Sequence, residues 1–247
     1  MVGMMVWKLP RPGTREKAVI LREKSILHIR ICCAEILRGP RTPEAVLRRR
    51  IHEAARRLRK AGIDRVILPE EFGQWGQLEK WQLRPVSTLP LRKALAADWV
   101  RWDLKNRGVP STGARVAVVT AGMTGEVVRT VTELSLRHRY VLLAAPYGGE
   151  ELCRQLRREY GVSLLLNPAR EQLAAADAVL LFEERTDFEG AGVIPLYDEA
   201  VPLPGLSLPP ALEDALPPGV VRAQMLTVLL EGGVLRSGQV VLGGEET

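Results

Sequence analysis

The fold is decided by Arg115-Val-Ala-Val-Val119, Thr120-Ala-Gly122-Met-Thr124-Gly125, Tyr140-Val-Leu-Leu-Ala-Ala145, Val162-Ser-Leu-Leu-Leu166 and Ala178-Val-Leu-Leu-Phe182. Strand-sized apolar runs alternate here with stretches patterned at the helical period. Strands apolar on both sides are buried on both faces, as in a parallel sheet covered by helices. The stretch predicts an α/β fold whose C-terminal lobe, 113–200, is Rossmann-like with a mainly parallel sheet.

Towards the N-terminus, Gly108 to Gly113 reads as a boundary, with Pro110 and two small hydroxyl residues. Before it, residues 89–112 read as a linking helix and linker. Leu91, Leu95, Trp99 and Trp102 line one face, widened by Ala94, Ala97, Val100 and Leu104. Residues 1–88 read as a basic α/β lobe with a smaller mixed sheet. Lys17–Arg22 and Ser25–Cys32 form its hairpin, with the turn at Arg22-Glu23-Lys24 and Leu27, Ile29 and Ile31 on one face. Met1–Thr14 reads as a loose arm. A helix starts after Thr42-Pro43-Glu44, carries the stripe Leu47, Ile51, Ala54, Leu58 and Ala61, and stops at Gly62. Arg65–Leu68 is the next strand. Residues 201–247 read as a proline-rich connection, a helix near 221–231, a small strand at 239–242 and a frayed end from Gly243 to Thr247.

Charge separates the same two parts. Residues 1–110 hold 24 Lys/Arg against 11 Asp/Glu, an excess of 13 positive charges. Residues 111–247 hold 11 against 18, an excess of 7 negative ones. A basic surface for an anionic partner is the direct expectation. No apolar run reaches the length of a bilayer span, and the N-terminus lacks a secretory h-region. A cytoplasmic protein without a membrane partner is expected, with a homo-oligomer left open. Three cysteines, two of them the adjacent Cys32 and Cys33, make no disulfide framework. They read as small buried hydrophobes.

The loop Thr120–Gly125 follows a strand and opens a helix, where a Rossmann-like lobe receives a phosphate. Thr120, Gly122, Thr124 and Gly125 are therefore candidate ligand contacts, as are Tyr147, Gly148 and Gly149 in the next strand–helix loop. The glycine pattern is GxxG and not GxGxxG. The second strand ends Leu143-Ala-Ala-Pro146, with no carboxylate for a ribose, and Glu126 places negative charge in the helix's first turn. Ordinary turn and cap chemistry accounts for both loops as well. If the sheet is parallel, both loops emerge on one rim.

Arg48, Arg49, Arg56, Arg57 and Lys60 on the basic helix are candidate phosphate or nucleic-acid contacts. Glu44 and Glu53 stand four residues before Arg48 and Arg57, so a solvated, partly ion-paired face is the simpler explanation of the run. No aromatic interleaves the arginines to stack bases. His28, His52 and His138 lie at no metal-ligand spacing, and no HExxH, CxxC, P-loop or GxSxG is present. No catalytic or metal residue is assigned. His138, between two arginines, reads as a surface residue. Glu70 and Glu71 sit at a strand tip, where capping or solvation explains them.

Three function classes follow. The first is a non-catalytic or degenerate Rossmann-like binding or regulatory protein. The second is an enzyme using NAD(P) or S-adenosylmethionine at the glycine loops. The third is a nucleic-acid-associated protein using Arg48–Lys60. The residues point to no particular family.

Overall fold

The computed structural model describes residues 1–11, 13, 16–188, 190 and 192–243. In chain order the elements are β1 Val2–Lys8, β2 Val19–Ile26, β3 Ile29–Leu37, α1 Glu44–Lys60, β4 Arg65–Ile67, α2 Trp75–Glu79 and β5 Arg84–Pro85. Next come α3 Leu89–Ala94, α4 Ala96–Asn106, β6 Arg115–Val119, α5 Gly125–Ser135, β7 Tyr140–Ala144, α6 Gly149–Tyr160 and β8 Leu165–Leu166. The chain closes with α7 Arg170–Ala174, β9 Ala178–Leu181, β10 Val193–Pro195, β11 Leu206–Ser207, α8 Pro210–Glu213, α9 Arg222–Glu231 and β12 Val241–Leu242. It divides into two compact units. Unit 1 is Met1–Thr88 with Leu208–Gln239; unit 2 is Leu89–Ser207 with Val240–Thr247. No helix among the described residues is long and apolar enough to cross a membrane.

Unit 1 is built on a mixed sheet of order β2-β3-β1-β4-β5, equal in strand number to the sheet of unit 2. Only β2 runs antiparallel to its neighbour. The expected N-terminal arm is instead the central strand: Val2–Lys8 pairs with all of Ile31–Leu37 and with Val66 and Ile67. Met4 and Met5 are fully buried there. Residues 12 and 14 of that arm, and residue 15 after it, lie outside the described residues, as do 244–247 of the expected frayed end.

The hairpin forms, but its turn is at Leu27 and His28, not at Arg22–Lys24. Both turn residues have positive φ (46° and 69°), the backbone of a two-residue hairpin turn. Arg22, Glu23 and Lys24 continue β2 opposite Cys33, Cys32 and Ile31. On an edge strand, charged side chains on both faces are solvated and do not mark a turn.

Helix α1 covers this sheet with Ile51, Ala54, Ala55 and Leu58, all fully buried. Pro43 is its N-cap, and Thr42 Oγ1 instead accepts from Gly39 N at 2.8 Å. Burying four such side chains removes apolar surface worth several kcal/mol in total, which outweighs the missing cap at about 1 kcal/mol. Late in the chain, α9 completes unit 1. Gln224 Oε1 accepts from Leu68 N at 2.8 Å, and Val221 N donates to Leu68 O at 2.8 Å.

Unit 2 carries a parallel five-stranded sheet of order β10-β9-β6-β7-β8. This is the Rossmann-like order, with β6 in the centre and the chain turning to the other side at β9. Val116, Val118, Leu143 and Leu180 are fully buried against Val127, Val131 and Leu134 of α5 on one face. Ala117, Val119, Leu142, Val179 and Leu181 pack with Leu173 on the other. Both faces are therefore covered, which explains the unbroken apolar runs. The pattern expected over residues 91–106 is interrupted at Leu95, giving the separate α3 and α4. Pro195 sits on the edge strand β10, where a lost N–H is tolerated.

Candidate functional site

The two glycine loops leave the carboxyl ends of the neighbouring parallel strands β6 and β7, so they share one rim of the unit 2 sheet. The structure brings Thr120, Gly122, Thr124 and Gly125 together with Gly148 through Met123. A Cβ added at Gly148 would stand 3.0 Å from Met123 Cγ.

Four loop residues have a local physical role. Thr120 is 4% exposed; its hydroxyl lies 2.8 Å from Gly122 O and accepts from Gly122 N at 3.2 Å. Thr124 caps α5 by accepting from Val127 N at 3.3 Å. Gly148 has φ +79°, and a Cβ on Gly149 would stand 2.5 Å from Leu166 Cδ1. Backbone conformation and packing thus explain these two glycines without a ligand. Gly122 and Gly125 differ: neither has positive φ, and nothing lies within 4 Å of an added Cβ. Tyr147 is 79% exposed. Asn167, at φ 45°, seals the neighbouring strand end, where its Oδ1 accepts from Ala145 N at 2.9 Å.

The feature not anticipated from sequence is Glu183, just past β9. The strand order places β9 beside β6. Glu183 Oε2 accepts from Ala121 N at 2.9 Å, and Oε1 lies 3.3 Å from Thr120 Oγ1. The carboxylate therefore engages the first backbone donor of the loop after the central strand, where the Rossmann order turns around. In that crevice such loops hold a pyrophosphate. Glu126, in the first turn of α5, is ion-paired to Lys93 at 3.2 Å. Past β7 the chain reads Ala145-Pro-Tyr-Gly148, without a carboxylate to hold a ribose. The rim thus holds the Glu183 carboxylate on the Ala121 N–H and carries no carboxylate directly at the end of β7.

The basic helix is largely used by its own unit. Arg56 donates to both oxygens of Glu53 at 2.9 Å, and Arg57 Nε donates at 2.6 Å. Hydrogen bonds from Arg56 and then Arg57 hold the Glu53 carboxyl down to about 2. Arg57 also donates to Val19 O at 3.3 Å, and Arg50 donates to Leu37 O. Arg48, Arg49 and Lys60 are exposed.

His138 is buried, contrary to the expected surface position, because the chain folds Ser111 O to within 3.3 Å of its Nδ1; burial pushes its pKa down. His52 Nδ1 lies 3.2 Å from Gln77 Oε1 and 3.3 Å from Trp81 Nε1. Glu71 pairs with Arg38 at 3.7 Å, and Arg38 lies 4.9 Å over Trp7. Trp7 in turn stacks on Phe72 at 6.4 Å. Cys32 and Cys33 are buried, and burial pushes the Cys33 thiol up to about 11. Among the described residues no group of three or more His, Cys, Asp or Glu could hold a metal ion.

The strand order and the rim define an α/β protein with a Rossmann-like unit. No protein-family model matches the sequence, nor does any curated protein. Among the solved structures to which the fold is similar are the following three. Against L-tryptophan dehydrogenase from Nostoc punctiforme the identity is 12% and the TM-score 0.27, covering 73% of this chain and 55% of that one. Against the catalytic subunit of M. jannaschii aspartate transcarbamoylase they are 15% and 0.32, covering 80% and 77%. Against shikimate 5-dehydrogenase from Listeria monocytogenes they are 12% and 0.28, covering 82% and 74%. The chain thus spans just over half the length of the tryptophan dehydrogenase. These likenesses concern the fold alone.

Proposed function

We propose that this is a non-catalytic binding protein whose Rossmann-like unit is degenerate as a nucleotide site. The observation that carries the reading is the Glu183 carboxylate on the Ala121 N–H. A phosphate arriving there would have to displace an internal anion and then lie beside it, and like charges at such range repel strongly. The four capping and packing roles of Thr120, Thr124, Gly148 and Gly149 support the same reading, since they need no ligand. In this reading the partner contacts belong to unit 1. Its residues include 21 Lys/Arg against 12 Asp/Glu, an excess of nine positive charges.

A second reading keeps the nucleotide: an enzyme binding NAD(P) or S-adenosylmethionine, favoured by the open space in front of Gly122 and Gly125. One experiment separates the two. Thermal unfolding is followed with NAD, NADP and S-adenosylmethionine at millimolar concentration. A ligand at a hundred times its dissociation constant stabilises by about 2.7 kcal/mol, a shift of at least several degrees. The first reading expects no shift with any of the three. A reproducible shift with any of them overturns it in favour of a nucleotide site, and turnover establishes the second.

A further inference from the structure

Along α1, Val46, Arg50, Glu53 and Arg57 follow one another at spacings of four, three and four. They form a single flank of the helix rather than its buried stripe. Beside this flank, two open grooves of about 460 Å³ and 450 Å³ lie next to one another, with Val46 and Arg50 in the lining of both. The apolar lining is Ala18, Val19 and Val46 in the first groove and Pro10, Pro40, Pro43 and Val46 in the second. The cations of the lining are Lys17, Arg49, Arg50 and Arg57 in the first and Arg41 and Arg50 in the second. Among the described residues the single carboxylate in the lining is Glu53, already held by Arg56 and Arg57. Among the described residues Lys17, Arg41 and Arg49 meet no carboxylate, and Val46 is 39% exposed.

We propose that these neighbouring grooves in unit 1 dock an extended, acidic peptide segment of another protein, with apolar side chains on the apolar lining around Val46 and carboxylates against Lys17, Arg41 and Arg49. The flank from Val46 to Arg57 is about 16 Å long at the helical rise. That is room for about five extended residues. Side chains alternate along an extended chain, so a segment alternating apolar and acidic residues matches the apolar lining and the cations at once. A nucleic acid matches only the cations. Its phosphates would meet them, but its bases would face valine, alanine and proline with no aromatic to stack on. The inference goes beyond the proposed loss of nucleotide chemistry in unit 2 and stands without it, because the cofactor panel and the docking test read different units.

The test is to pan a random twelve-residue peptide display library on the immobilised full chain, then to measure the winning peptides by fluorescence polarisation. Expected winners carry net negative charge interleaved with apolar residues, and bind more weakly as salt rises. Arg49→Glu and Val46→Asp should each weaken them by at least about tenfold, equivalent to about 1.4 kcal/mol. Arg48→Glu, a matched charge reversal on the far side of α1, should leave affinity within about threefold. Far-UV circular dichroism checks that each variant is folded; Lys17→Glu, outside the helix, repeats the test if α1 is disturbed. No enrichment, winners lacking acidic residues, or equal loss in the Arg48 and Arg49 variants overturns the proposal. Displacement of the winners by lower concentrations of a short DNA duplex or single-stranded RNA also overturns it.

Discussion

Replacing Glu183 with alanine removes the acceptor 2.9 Å from Ala121 N. The Thr120 hydroxyl loses little, because its 2.8 Å contact to Gly122 O remains. A hydrogen bond to a charged group contributes about 1.5–3 kcal/mol net. Ala121 is exposed, so water takes over the vacated N–H, and the expected loss falls near or below that lower bound, about 1 kcal/mol. Glu183→Gln keeps an oxygen acceptor without the charge and should lose roughly half as much. A loss of about 1 kcal/mol corresponds to roughly 2–8 °C in Tm for domains of this size range. Urea unfolding followed by far-UV circular dichroism measures the loss. Amide hydrogen exchange localises it: Ala121 should lose protection in the alanine variant while Val118 in β6 keeps its own. Millimolar pyrophosphate should then stabilise Glu183→Ala and leave the parent chain unchanged. Equal stability of parent and variant within about 0.3 kcal/mol, with unchanged Ala121 exchange, would refute the claim that this carboxylate fills the loop.

The glycines of the rim separate by the same kind of measurement. Gly148→Ala should cost about 1–3 kcal/mol, since φ is +79° and Met123 stands in the way, whereas Gly125→Ala in open space should stabilise α5 by up to about 1 kcal/mol; urea midpoints of the two variants check the opposite signs. The pairing of Glu53 predicts an acid-dependent term. Its folded pKa of about 2 lies below the ordinary carboxylate value, so the stabilisation is fully present above the unfolded pKa and fades as pH falls from about 4.5 towards 2. Glu53 and its partners are partly exposed, so screening limits the effect to about 0.5 kcal/mol. Glu53→Gln should therefore lower the urea midpoint at pH 7 and lower it progressively less as pH falls through about 2.

Much of unit 2 was legible because burial on both faces writes itself into the sequence as unbroken apolar runs such as Val116–Val119 and Ala178–Phe182. Helix α1 was legible from its stripe and from Gly62. The strand β1 was not, because its seven residues pair only with segments far along the chain, and the prolines and glycine after it suggest a loose end. The hairpin turn was missed because Leu27 and His28 adopt positive φ without the usual Gly or Asn, held there by the pairing of β2 and β3. Thr120, Thr124 and the glycines of the rim were visible as strand–helix loops. Glu183 was not, since its place beside Thr120 follows from β9 lying next to β6, and strand order leaves no periodic trace.

Unit 1 is assembled from the first 88 residues and from Leu208–Gln239, with nearly all of unit 2 between them. During synthesis the opening sheet must therefore wait, with the backbone groups of Leu68 still lacking Gln224 and Val221, while more than a hundred later residues are made. Unit 2, almost contiguous, can mature on the ribosome first. A single nick in the unit 2 stretch would leave two fragments that both still hold part of unit 1.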